Sequence, residues 1–179
     1  MKLLSIAISS YNAAAYLNYC VESLVIGGEQ VGILIINDGS QDQTQEIAEC
    51  LASKYPNIVR AIYQENKCHG GAVNRGLAEA SGRYFKVVDS DDWVDPRAYL
   101  KILETLQELE SKGQEVDVFV TNFVYEKEGQ SRKKSMSYDS VLPVRQIFGW
   151  DQVGNFSKGQ YIMMHSLIYR TDLLRASQF

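Results

Sequence analysis

Between residue 3 and about residue 110, short apolar runs alternate with segments of helical spacing, and this alternation constrains the fold more than any other feature. Residues 3–9, 31–37, 58–63 and 84–88 read as buried strands. The spacing predicts a helix over 13–26, with Ala14, Leu17, Val21, Leu24 and Val25 inward and Gly27-Gly28 as its stop. Ser40 and Gln43 have the spacing of a capping box for a second helix over 42–54, with Ile47, Cys50 and Leu51 inward. Residues 71–80 read as a third helix. Asp95-Pro96 opens a fourth that runs to about residue 111, since proline suits the first helical position. Such a repeat predicts an α/β fold with a mostly parallel sheet and helices on both faces. Ligand-binding residues in these sheets gather beyond the carboxyl ends of the strands. Asn12, Asp38 and the acids of Asp89-Ser90-Asp91-Asp92 all follow strands, so one rim is expected to collect them.

The acidic stretch carries the most chemistry. Three carboxylates within four residues follow the run Tyr84-Phe85-Lys86-Val87-Val88. At about 5 Å and an effective dielectric near 20, each carboxylate pair costs about 3 kcal/mol. A divalent cation reverses that sign, because hard cations take oxygen ligands. The alternative is an N-cap cluster ahead of Pro96.

After residue 115 the pattern changes. Residues 116–125 and 131–138 read as two strands around a polar turn, 166–169 as another, and Thr171 as the cap of a last helix. A chain ending at Phe179, so soon after a helix start, reads as part of a longer protein. With 179 residues there is enough chain for one domain with a real core. The net charge of −4 argues against a general nucleic-acid or anionic-membrane surface. Three scattered cysteines fit a reducing compartment, hence the cytoplasm, including the inner face of the membrane. No apolar segment is long enough to span a bilayer.

Four pieces in order resemble a known pattern. Ile8-Ser9-Ser10-Tyr11-Asn12 follows the first strand and Ile36-Asn37-Asp38-Gly39-Ser40 the second. Gly70-Gly71-Ala72-Val73-Asn74-Arg75-Gly76 opens a helix, and Val88-Asp89-Ser90-Asp91-Asp92-Trp93 follows the fourth strand. Together they resemble the bacterial family 2 glycosyltransferases of the GT-A fold, over residues 3–125 and more loosely over 160–175. The resemblance implies a Rossmann-like, mostly parallel sheet with a partly antiparallel C-terminal portion. Residues 1–125 would form the nucleotide-sugar half and 126–179 the start of the acceptor side, within one domain.

What the resemblance implies for chemistry is specific. The donor would be a nucleoside-diphosphate sugar, with UDP the usual nucleotide, and the cofactor Mn2+ or Mg2+. The acceptor would be a carbohydrate, lipid-linked or protein hydroxyl, in cell-surface polysaccharide or glycoprotein assembly. Ser9, Tyr11, Asn12, Asp38, Lys67 and Asp89 match nucleotide-side positions, and Asp91 and Asp92 the metal ligands of the D-x-D element. A tyrosine at position 11 can stack on uracil, and Asp38 can accept the imide N–H. Where the family often has an arginine before the helix asparagine, this chain has Val73, and Arg75 points to another helix face. His165 is placed on the acceptor side, His69 and Lys67 near the nucleotide, and Arg132-Lys133-Lys134 in a hairpin. Inversion at the anomeric carbon needs a base; Asp151 and Asp172 are available but unconvincing, and the base is expected beyond Phe179.

Other readings of the alternation fit less well. No G-x-G-x-x-G follows the first strand and no P-loop occurs, which disfavours dehydrogenase and NTPase readings. A catalytically silent nucleotide-sugar-binding module and a metal-binding α/β scaffold stay open.

Overall fold

The computed structural model describes residues 1–126 and 133–177. Four parallel strands form its centre: β1 (Lys2–Ser10), β2 (Val31–Asp38), β3 (Val59–Gln64) and β4 (Gly82–Asp89). The helices between and after them are α1 (Leu17–Val25), α2 (Thr44–Lys54), α3 (Cys68–Glu79) and α4 (Pro96–Ser111). Then come the short strands β5 (Val118–Val120), β6 (Phe123–Tyr125), β7 (Lys134–Met136) and β8 (Leu167–Arg170), and the helix α5 (Thr171–Ala176). The main sheet runs β3-β2-β1-β4-β8-β5, and β6 and β7 form a separate antiparallel pair. β8 is antiparallel to both β4 and β5, so the sheet is completed by residues that come last in the chain.

The strands are buried on both sides, as their near-continuous apolar runs require. Ile6, Ile8, Ile33 and Ile35 face one layer, packed with Leu17, Val21 and Leu24 of α1, Leu51 of α2 and Leu103 and Leu106 of α4. The alternate residues Ala7, Leu34, Ile36, Phe85 and Val87 face the other, against Ala72, Val73 and Leu77 of α3 and Leu174 of α5. A smaller cluster of Met136, Tyr138, Val141 and Leu142 sits in the later segment.

Several local expectations are corrected. The helix expected from residue 13 starts at Leu17, with Ala13 rather than Ala14 buried. No capping box forms at Ser40 and Gln43; α2 begins at Thr44, whose N–H donates to Asp42 Oδ1 at 3.0 Å. Asp42, two residues closer to the helix than Ser40, takes that role. Cys50 is exposed, not core: the buried face of α2 is Thr44, Ala48 and Leu51, spaced four and three apart. The single strand expected over 116–125 is two. The chain leaves the main sheet at Thr121, which donates twice to Ser166 O, and at Asn122, which accepts from Tyr138 N. Thr171 is the first residue of α5 and not its cap; its hydroxyl is buried and donates to Gly82 O at 2.7 Å. Part of the expected 126–130 turn, and Ser131 and Arg132, lie outside the described residues.

The start of α4 is as expected. Asp95 Oδ1 accepts from Ala98 N at 2.8 Å and Pro96 opens the helix. Asp95→Ala is expected to cost about 1 kcal/mol, read as a lower midpoint in a urea melt. Since Asp95 supplies the cap, the acids at 89–92 are not a capping cluster.

Candidate functional site at the carboxyl ends of the strands

The parallel strands change direction of travel at β1: the chain moves outward through β2 and β3, then returns to place β4 on the other side of β1. Open α/β sheets bind ligands in the crevice beyond such a switch point. Here that crevice is a cavity of about 430 Å³ lined by Ser9, Tyr11, Asp38, Asn66, Cys68, His69, Asp89, Ser90 and Asp91. The expected convergence is therefore present: Asp38 and Asp91, 53 positions apart in sequence, line one cavity.

Asp38 ends β2 and is 2% exposed. Its Oδ1 accepts from Gln64 Nε2 at 2.6 Å and from Lys67 N at 2.8 Å. That ties β2 to β3 and to the residue before α3, and leaves Oδ2 uncommitted to the protein. Gly39 follows at φ +74°, where a Cβ would lie 3.0 Å from Asn66 N, so a side chain there would crowd the cavity wall.

Ser9 pairs in register with Asp89 across β1 and β4. Tyr11 is half exposed at the cavity lip. Asn12 takes a left-handed conformation, φ 51°, and is spent on loop geometry. Its N–H donates to Ser40 Oγ and its Oδ1 accepts from Gln41 N, stitching the β1 loop to the β2 loop. Lys67 contributes its backbone N–H to Asp38, and its side chain does not line the cavity.

The acids form a tight turn closed by Asp92 N donating to Asp89 O at 3.0 Å. Helix α1 holds this turn from behind. The Cys20 thiol reaches Asp89 O at 3.6 Å, and Ser23 Oγ accepts from Val94 N. Burial pushes the Cys20 thiol up to about 12, so it stays protonated as a donor. The structure also brings in a residue that the sequence placed on the acceptor side. His165 Nε2 lies 3.5 Å from Asp89 Oδ2, and its Nδ1 lies 3.9 Å from Asp92 Oδ2. His69, the other histidine of the chain, approaches Asp89 Oδ1 at 3.9 Å. The two histidines thus flank one carboxylate from opposite directions in sequence.

Asp89, Asp92 and His165 offer one ligand atom each within 4.8 Å of one another, which Asp91 does not join. Asp89 Oδ1 and His165 Nδ1 are buried without a hydrogen-bond partner. Buried polar atoms are normally paired, and two orphans beside a carboxylate cluster fit a cation. Partial burial raises the Asp92 carboxyl above the usual range, as do Asp89 and Asp91, while His165 pulls it down. Beneath the cluster, Lys86 is 9% exposed, donates to His165 O, and is held down to about 8 by burial, with Asp92 pulling the other way.

Asp151 sits in a short turn, Trp150–Gln152, and Asp172 pairs with Arg170 beside a second cavity near the amino ends of β1 and β4. Neither lines the first cavity. Arg75 pairs with Glu79 on the outer face of α3, and Val73 packs inward. Sequence reasoning gave no role to Asn66 or Lys86. A lysine inside an apolar strand run was the available signal for the latter.

Comparison with known proteins bears on the family and the fold. The profile of "Glycosyl transferase family 2" matches residues 5–171. The glycosyltransferase GlyG of Streptococcus pneumoniae is 36% identical over 127 residues, which is 68% of this chain and 39% of GlyG. The chain thus spans well under half of the curated relatives it matches. Among solved structures, S. aureus TarS 1-349 in complex with UDP-GlcNAc superposes with a TM-score of 0.70 at 22% identity, covering 99% of this chain and 47% of TarS. The mannosyltransferase PcManGT of Pyrobaculum calidifontis, in complex with GDP-Man and Mn2+, gives 0.53 at 16% identity over 64% of this chain and 34% of its own. These structures share the fold, with the mostly parallel sheet expected from the strand–helix repeat and the GT-A likeness implied by the family resemblance. With the family profile spanning nearly its whole length, the chain belongs to glycosyl transferase family 2.

Proposed function

We propose that this rim binds a nucleoside-diphosphate sugar, with UDP as the nucleotide, for transfer of the glycosyl group to an acceptor hydroxyl with inversion. The observation that carries the reading is that Asp38 and the 89–91 acids line one cavity. In it, Asp38 keeps an oxygen free for the uracil imide N–H, and Tyr11 is placed to stack on the base. Ser9 and Asp89 would face the ribose, and Asn12 serves by holding the loop. Lys67 acts through its backbone on Asp38, in place of the side-chain contact expected for it. The UDP-GlcNAc complex of TarS supports the choice of UDP.

A divalent cation would be held by Asp89, Asp92 and His165, with Asp91 lining the cavity where a diphosphate would bind. An imidazole nitrogen among the ligands favours Mn2+ over Mg2+, which takes oxygen. When bound, such an ion neutralises charge developing on the leaving diphosphate. The Mn2+ complex of PcManGT supports a divalent metal as the cofactor. Residues 1–125 then form the donor half, and 126–179 lead into the acceptor side, where the hydroxyl belongs to a carbohydrate, lipid-linked or protein acceptor. No catalytic base is assigned among the described residues. The three free cysteines support a reducing, cytoplasmic setting. No helix among the described residues is long and apolar enough to cross a membrane.

Titration calorimetry with UDP in the presence of Mn2+ tests the reading. Saturable heat is expected with both together and much weaker binding of UDP alone. No heat under either condition removes the proposal. Loss of UDP binding in Asp91→Ala favours the enzyme reading, and unchanged binding favours the silent-module reading.

A further inference from the structure

Among the described residues, Lys86 is the one lysine or arginine classed with the buried core. A buried ammonium is costly unless it is hydrogen-bonded or paired. Its strand neighbours Phe85 and Val87 are apolar, and across β1 it sits in register with Ile6. The acceptor it reaches is the backbone carbonyl of His165, 79 residues later in the chain. That carbonyl belongs to a single helical turn, Met164–Ser166, delivered to the site by β8. On the far side of the turn, Ser166 O accepts from Thr121 N and Thr121 Oγ1, and Ser166 Oγ accepts from the Tyr138 hydroxyl. Ser166 is thus fixed by the later segment, and His165 by β4, the same strand that ends in Asp89.

We infer that Lys86 is a positioning residue, which clamps the His165 backbone to the acid-bearing strand so that its imidazole stands ready for a divalent cation. This rests on the donor-site reading above. Groups that orient metal ligands without touching the metal matter nearly as much as the ligands. The arrangement gives Lys86 opposite signs in stability and in binding. Replacing a buried charge by an apolar side chain of similar length removes the desolvation cost of the ammonium together with its hydrogen bond, and the two effects oppose each other. The carbonyl it would leave is among the less costly groups to leave unpaired. A purely structural lysine would instead lower stability when replaced.

The test is an NMR titration of the histidine-labelled chain with Mn2+, comparing wild type with Lys86→Met. With two histidines in the chain, His69→Asn assigns the His165 imidazole signals. Mn2+ is expected to broaden them in wild type. In Lys86→Met the same broadening is expected to need about 10- to 100-fold more Mn2+, with the thermal midpoint unchanged or higher. Equal titrations in the two proteins overturn the inference while leaving the donor site intact. No broadening in wild type overturns the metal assignment itself. If Lys86→Met fails to fold, Lys86→Gln, which keeps a shorter donor, carries the comparison. It is expected to fall between wild type and the full loss, and an unshifted titration overturns the inference.

Discussion

Asp89→Asn is expected to remove most of the gain in melting temperature that Mn2+ and UDP give the wild-type chain, while leaving the ligand-free protein at least as stable. Ligand at 100 times its dissociation constant stabilises a protein by about 2.7 kcal/mol. For a domain of this size that is about 5–11 °C, at about 2–4 °C per kcal/mol. Asp89 touches every part of the site: it lines the cavity, faces both histidines, and carries an orphaned oxygen. Losing a direct ligand should cost at least as much affinity as losing a supporting group, about 100-fold or more. The same ligand concentration then stabilises the variant by about 0.4 kcal/mol, a shift of about 1–2 °C. Removing the charge also relieves repulsion with Asp91 and Asp92, which accounts for the ligand-free stability. Scanning fluorimetry with and without Mn2+ and UDP reads both effects. Equal shifts in the two proteins would show that Asp89 is not a ligand.

Gly82→Ala is expected to destabilise the fold by about 3 kcal/mol, the upper end of the cost of overpacking. Gly82 opens β4 where the strand meets β1. A Cβ there would lie 2.5 Å from Ser5 N and 2.7 Å from Leu4 C. Both neighbours are backbone of a central strand, so no side-chain rotation relieves the contact. The glycine N–H also donates to Ser5 Oγ, and its carbonyl accepts from Thr171, so movement would strain the joint with α5. Gly32 in β2 is the control: its nearest neighbour would be the Lys2 side chain at 3.6 Å. Gly32→Ala should be neutral, or stabilising by about 0.4–1 kcal/mol through the unfolded chain. Urea unfolding midpoints of the pair decide the matter, and equal midpoints would refute the steric account.

The contrast between those two glycines illustrates what the amino-acid order discloses and what it withholds. β1 to α4 were legible because each apolar run is long enough to show its period, and because Asp95-Pro96 is unambiguous chemistry. The meeting of Asp38 with Asp91 followed from the rule that parallel strands present their carboxyl ends together. His165 was not legible as a partner of Asp89. Its approach depends on β8 turning back antiparallel beside β4, and a four-residue strand carries too little pattern to reveal its neighbours. Cys50 is exposed although it follows Ile47 at the helical spacing of a buried residue, so spacing alone does not separate the two. Lys86 was absorbed into an apolar run, since period alone does not show what its ammonium reaches.

The late arrival of β8 has a consequence for synthesis. Until residue 170 has left the ribosome, one side of β4 has no neighbouring strand, and an unpaired strand edge invites association with other chains. The acids at 89–92 would wait through the same interval without His165. Nascent chains cut short before residue 165 should therefore bind chaperone holdases or aggregate, whereas those reaching past residue 171 should withstand proteolysis.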